Sequence, residues 1–178
     1  MLSRVVAGRI VLVGMMGAGK TTVGRALAAR LGWAYWDNDA ALRRLTGRSP
    51  TALLAASGTS GLHAAEAGVL LAALAAPLPL VVAAPGSAAL DPSVSLLRGE
   101  RVVWLRAAVP TLVARVLAGD ERSFLGASPP EVAAAVSALA AARAPGFAAL
   151  AAKIIDVDDR PVSEIVDEIV AATAPLSG

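Results

Sequence analysis

The chain has 178 residues, 56% of them hydrophobic, a length and apolar content that fit one compact domain with a sizeable core. It contains no cysteine and a single histidine, which excludes a disulfide framework, thiolate metal sites and a multi-histidine metal centre. The formal net charge is +2, with basic residues dispersed along the chain and densest at Arg43, Arg44 and Arg48, too thin a footprint for a nucleic-acid partner.

Strand and helix signals alternate from the N-terminus onward. Residues 9–13 form a short β-branched run expected as a strand, and a glycine-rich loop follows. Residues 21–31 carry Val23, Leu27 and Leu31 at helical spacing, with Gly32 placed as a C-cap. A short strand over 33–36 ends in Asp37-Asn38-Asp39. Two short helices are expected over 40–46 and 50–56, and a longer one over 62–76. Strands follow at 80–83 and 102–105, then a helix at 110–117 and an exposed, turn-rich loop at 119–130. An alanine-rich helix at 131–142, a last strand at 153–157 and a last helix at 162–172, opened by Pro161, complete the chain. The alternation predicts one α/β domain, residues 1–178, around a parallel sheet. Residues 67–90 carry no charge and are long enough to span a bilayer, but Pro77, Pro79, Pro85 and Gly86 break the run, so a helix end followed by a buried strand is expected instead. With no secretory signal and no span, a cytoplasmic protein without a membrane partner is expected.

The chemistry is concentrated in Gly14-Met15-Met16-Gly17-Ala18-Gly19-Lys20-Thr21, a full match to G-x-x-x-x-G-K-[ST] between a strand and a helix. Glycines let the loop wrap tightly enough for successive backbone N–H groups to converge on phosphate oxygens, and the following helix points its positive end at the same anion. Gly17, Ala18, Gly19, Lys20, Thr21 and Thr22 are therefore assigned to a nucleoside triphosphate, ATP with Mg²⁺. Lys20 can reach the β- and γ-phosphates and the Thr21 hydroxyl can meet the metal. A chance glycine turn is disfavoured by the strand–helix context, and by a chain that uses lysine only at Lys20 and Lys153. Asp37 and Asp39 end the second strand, on the side of an open sheet where ligands sit. One could steady the Mg²⁺ shell and the other meet a substrate hydroxyl; the competing reading is a strand-to-helix turn with Asp39 as N-cap.

The phosphate loop, followed by Val23-Gly24-Arg25-Ala26-Leu27-Ala28, Asp37-x-Asp39 and Leu45-Thr46-Gly47-Arg48-Ser49, resembles the shikimate kinases. The resemblance runs over nearly the whole chain and is most specific in its first third. It implies a doubly wound parallel sheet related to nucleoside monophosphate kinases, with a short mobile lid, and transfer of the ATP γ-phosphoryl group to a ring hydroxyl of shikimate. It makes Lys20 catalytic, Asp37 the magnesium-side aspartate, and Asp39 the group that binds substrate hydroxyls and acts as base. Arg122, in Arg122-Ser123-Phe124-Leu125, matches the lid arginine, although the family usually has proline beside it. Arg115 and Pro161 fall where the family flanks the adenine ring, and Arg143, in Arg143-Ala144-Pro145-Gly146-Phe147, matches a carboxylate-binding arginine. Two departures stand out. The family's phenylalanine-arginine pair before a glutamate reads Leu62-His63 here, with Glu66 retained, and its triple glycine reads Pro85-Gly86-Ser87. His63 then either contacts the substrate when protonated or is a polar residue on an apolar helix, and Gly86 keeps the place of the middle glycine. The expected partners are ATP and a small hydroxylated, anionic substrate, shikimate first. A kinase for another polyol such as gluconate, or a nucleotide-binding protein with a decayed acceptor site acting through a partner, are the alternatives.

Overall fold

The structure, a computed structural model, describes residues 8–90, 93–119, 125–126 and 128–173. Five parallel strands, β1 (Arg9–Val13), β2 (Ala34–Asp37), β3 (Leu80–Ala83), β4 (Arg101–Arg106) and β5 (Lys153–Asp156), form one sheet in the order β2-β3-β1-β4-β5. The central strands are continuous apolar runs because both faces are covered: Ile10 to Val13 and Leu80 to Ala83 are buried without alternation. The helices are α1 (Lys20–Leu31), α2 (Asn38–Thr46), α3 (Pro50–Ala75), α4 (Ser93–Leu97), α5 (Val109–Ala118), α6 (Pro129–Leu150) and α7 (Val162–Thr173). The chain leaves β1 in one direction to reach β2 and then moves steadily the other way. Right-handed crossovers therefore place α1 and α7 on one face and α3, α4 and α6 on the other, as their mutual packing confirms. With few aromatics, the core is aliphatic, apart from Trp104 and Phe147, whose rings pack 5.6 Å apart.

A second, smaller apolar cluster of Ala41, Leu42 and Val69, flanked by Trp36, Leu53, Leu62 and Ala65, joins α2 to α3. It forms a platform beside the main core and carries one wall of the cleft described below.

The expected strands are present within one residue at each end. Trp33 is not in β2, because its N–H donates to the Ala28 carbonyl in the turn that closes α1 at Gly32. The two helices expected over 50–56 and 62–76 are present as the two stretches of α3 on either side of Gly58, whose φ 66°, ψ −176° is non-helical, with the second beginning earlier than expected. The alanine-rich helix is longer than expected and continues through Pro145 to Leu150, consistent with the high helix propensity of its neighbours. A 3₁₀ turn at Gly86–Ala89 and the short α4 were not anticipated. Residues 67–90 divide, as expected, into the end of α3, then β3, then that turn. By length and composition α6 could cross a membrane, but it buries Arg143 and Phe147 against the body of the domain and packs on α5 and the 3₁₀ turn.

Candidate active site

The phosphate loop connects β1 to α1. Gly19 is the N-cap of α1 at φ 92°, a left-handed conformation that glycine adopts without steric cost. Having no side chain, it cannot cap the helix, so the first-turn N–H groups of Lys20, Thr21 and Thr22 are left for an anion. The Lys20 ammonium lies across the loop and donates to the carbonyls of Gly14 at 2.8 Å and Met15 at 3.1 Å. Burial pushes its pKa below the ordinary lysine value; Asp39 and Asp37 oppose this, Arg143 adds to it and Glu66 opposes it.

Asp37 joins this loop to the second strand. Its Oδ2 accepts from the Thr21 and Tyr35 hydroxyls, both at 2.9 Å, and its Oδ1 accepts from the N–H groups of Asp39 at 3.1 Å and Ala40 at 3.2 Å. Asp37, not Asp39, is thus the N-cap of α2. Burial works to raise this carboxyl, but the bonds from Ala40, Thr21, Tyr35 and Asp39 outweigh it and hold the pKa below the ordinary aspartate value. The Thr21 hydroxyl and the Asp37 carboxylate are two hard oxygen donors beside the anion-binding helix end. That is the kind of set Mg²⁺ takes, since it binds through one or two protein oxygens together with water and substrate phosphates. No group of three or more acidic or histidine ligands occurs among the described residues, so the donor set fits Mg²⁺ bound with a nucleotide better than a closed protein cage.

A cleft of about 460 Å³ runs from this corner to Arg143 on α6. Asp39 lies between the two ends, and its carboxylate accepts no hydrogen bond from the described residues. It opens onto the cleft, yet the walls remove enough water to raise its pKa; Lys20 opposes that rise and Asp37 adds to it. The far wall holds Arg143, 8% exposed, which forms no hydrogen bond or ion pair among the described residues and whose Nε is buried without a partner. Burial lowers its pKa and Glu66 opposes this. A buried, unpaired guanidinium is costly to a fold and is expected where an anion is to be received. Gly86 leaves room for it: a Cβ there would fall 2.8 Å from Arg143 Nη1. Glu66, also 8% exposed, accepts from the Ser87 hydroxyl, and burial raises its carboxyl despite that bond. His63 borders the same cleft, with its pKa lowered first by burial and then by Arg143, so the ring is neutral near pH 7.

Of the candidates read from sequence, Gly17, Gly19, Lys20, Thr21, Thr22, Asp39, His63, Gly86, Arg115 and Arg143 border this one cleft. Arg115 reaches it from α5 and donates to the Gly17 carbonyl at 3.1 Å. Asp37 stands behind Thr21. Ala18 is buried, and its N–H is turned inward to the Met15 carbonyl. Pro161 is exposed in the turn before α7 and is not among the residues lining the cleft. Arg122 lies outside the described residues. The Ser87–Glu66 bond and the Tyr35 hydroxyl on Asp37 were not foreseen. Tyr35 stands two residues before Asp37 on a strand, the spacing that shares a face, and this signal could have found it.

The comparisons with known proteins agree with this geometry. The family model for shikimate kinase matches residues 16–174. A shikimate kinase of Symbiobacterium thermophilum is 38% identical over 162 residues, covering 90% of this chain and 92% of that protein. One from Frankia casuarinae is 37% identical over 168 residues, covering 94% of this chain and 73% of that protein. The structure of shikimate kinase from Acinetobacter baumannii in complex with shikimate superposes with a TM-score of 0.85 at 30% identity, covering 93% of this chain and 92% of that one. The chain belongs to the shikimate kinase family.

Proposed function

We propose that this protein transfers the γ-phosphoryl group of ATP to a hydroxyl of shikimate. One observation beyond family membership supports this reading. An anion-binding loop, a carboxylate that no described residue hydrogen-bonds and a buried guanidinium unpaired among the described residues line a single cleft, which suits a nucleotide, an acceptor hydroxyl and an acceptor anion. The N–H groups of α1's first turn and the Lys20 ammonium offset charge on the β- and γ-phosphates. Mg²⁺, held by Thr21 and Asp37, would supply further charge neutralisation there. Asp39 accepts a hydrogen bond from the acceptor hydroxyl, aligns it with the γ-phosphorus and takes its proton as the new O–P bond forms and the bond to the ADP oxygen breaks. Arg143 holds the acceptor's carboxylate. Arg115 and Pro161 are assigned to the adenine ring and Arg122 to a lid that closes over the phosphates, on the family resemblance. A cytoplasmic location, where ATP is supplied, follows from this reading.

The test is coupled ADP release across shikimate, quinate and gluconate. Release that depends on shikimate, and is lost in Asp39→Asn, is expected. Release with gluconate alone would replace the acceptor. ATP binding with no alcohol-dependent release would leave a nucleotide-binding protein acting through a partner.

A further inference from the structure

Three side chains in the acceptor half of the cleft come from distant parts of the chain: Glu66 from α3, Ser87 from the 3₁₀ turn and Arg143 from α6. Glu66 and Arg143 carry opposite charges, line the same cleft and are each more than nine-tenths buried. Buried opposite charges gain strongly from direct pairing, because neither is solvated otherwise. These two do not pair. The Glu66 carboxylate accepts from the Ser87 hydroxyl instead, while the Arg143 guanidinium makes no hydrogen bond or ion pair with a described residue and its Nε is buried without a partner.

We propose that Ser87 is a positioning residue that holds Glu66 away from Arg143 and so keeps the guanidinium open for the anionic group of the acceptor alcohol. The inference rests on the reading of this cleft as the acceptor site. A hydroxyl suits the task, since it satisfies a carboxylate oxygen without adding a counter-charge. The backbone on either side is fixed. Asn38 Nδ2 donates to the Glu66 carbonyl at 3.4 Å, and the Leu90 N–H donates to the Ser87 carbonyl at 2.9 Å, so neither side chain can leave by a backbone shift alone. Without the hydroxyl, Glu66 is a buried carboxylate facing Asp39, Arg143 and Lys20, with His63 one turn away on its own helix. Lys20 is already committed to the Gly14 and Met15 carbonyls. Arg143 is the uncommitted cation, and an ion pair between the two would have to open before an acceptor anion could bind.

The experiment is a double-mutant cycle on the full chain, with acceptor KM, ATP KM and kcat measured for wild type, Ser87→Ala, Glu66→Gln and the double variant, and with Ser87→Thr as the conservative control. Ser87→Ala should raise the acceptor KM about tenfold or more, the scale of one charge-assisted bond, while ATP KM stays close to its original value. In the Glu66→Gln background the same change should move acceptor KM by less than about twofold, because a neutral amide cannot sequester the guanidinium. Ser87→Thr, which retains a hydroxyl, should recover most of the acceptor affinity. A second readout needs no acceptor: ¹³C-carboxyl titration of Glu66, assigned by its loss in Glu66→Gln. In Ser87→Ala its midpoint should move down as Arg143 takes the place of the hydroxyl. An unchanged acceptor KM in Ser87→Ala, equal KM increases in both backgrounds, or an upward or unmoved Glu66 midpoint would each overturn the proposal. Absence of shikimate turnover in wild type alongside a downward Glu66 midpoint in Ser87→Ala would instead defeat the acceptor assignment and leave the role of Ser87 standing.

Discussion

Replacing Asp39 by asparagine removes a carboxylate that no described residue hydrogen-bonds, and whose charge offsets the buried Lys20 ammonium by less than its own burial costs. The expected product is a protein with little or no turnover that is as stable as the original or more so. Its carboxylate accepts no hydrogen bond from the described residues, and its pKa is raised, chiefly by desolvation. Between the unfolded and folded pKa values the native state keeps a proton that the unfolded chain has lost, so stability falls as pH rises through that window and stays lower above it. At pH 7 the ionised group is therefore a small cost. Because it opens onto the cleft, solvent limits that cost, and the variant should lie within about 0.5 kcal/mol of wild type or above it. Loss of the base should lower kcat by about 10²- to 10⁴-fold. Asp37 is the contrasting case. Asp37→Ala removes the N-cap of α2, worth about 0.5–2 kcal/mol, and the bond from the half-buried Tyr35 hydroxyl, worth about 1.5–3 kcal/mol to a charged acceptor. A loss of about 2–5 kcal/mol follows, or about 4–20 °C in Tm for a domain of this size. Because the Asp37 pKa is lowered, its contribution is present above the unfolded value and disappears as pH falls through the folded one, below about pH 4. Thermal and urea unfolding of both variants, beside ADP-release assays, check this. Asp39→Asn unfolding as readily as Asp37→Ala, or turning over near the wild-type rate, would refute the reasoning.

Lys20→Met should reduce turnover by about 10²-fold or more with a small change in Tm, because the two carbonyl bonds it loses are offset by removal of a desolvated ammonium; wild-type turnover would count against the phosphate-loop assignment. His63 is neutral near pH 7 and gains its proton only below its ordinary value, so shikimate binding measured by calorimetry should tighten as pH falls below about 6.5; a flat profile would remove His63 from the acceptor site. His63→Arg should tighten binding at pH 7.5 by about 10- to 150-fold and abolish that pH response. Gly86→Ala should raise the acceptor KM more than it changes ATP KM, by displacing the Arg143 guanidinium; equal effects on both constants would show that the crowding is relieved elsewhere.

The fold and the nucleotide corner were legible because their signals are local. A β-branched run, a glycine loop and a helical apolar stripe fixed β1 and α1 to within a residue, and the loop needs only contiguous residues to present its N–H groups. Asp37 was visible as the end of a strand. That its carboxylate binds backward to Thr21 and forward to the start of α2 was not, because capping geometry depends on where β2 ends, and Trp33 was drawn into the preceding turn. The two helical stretches of α3 were legible as separate helices, and Gly58, at φ 66° and ψ −176°, divides them.

The acceptor half resisted the sequence for a different physical reason. Residue types there are easily read, but their chemistry is set by pairing between segments at 66, 87 and 143, and no spacing rule reaches that far. Read by pattern alone, Pro85 and Ser87 are losses: a missing backbone donor and a blocked approach. In the folded chain each has a local fit. Pro85 sits at φ −67°, the angle its ring imposes, and leads into the 3₁₀ turn without strain. Ser87 satisfies a buried carboxylate that would otherwise seek the nearest free cation. His63 brings no charge of its own near pH 7, so on the proposed reading the acceptor's anion depends on Arg143, which has no ion pair among the described residues. On the proposed reading, the serine in the adjacent turn gives Glu66 a neutral partner and leaves the Arg143 guanidinium unpaired among the described residues.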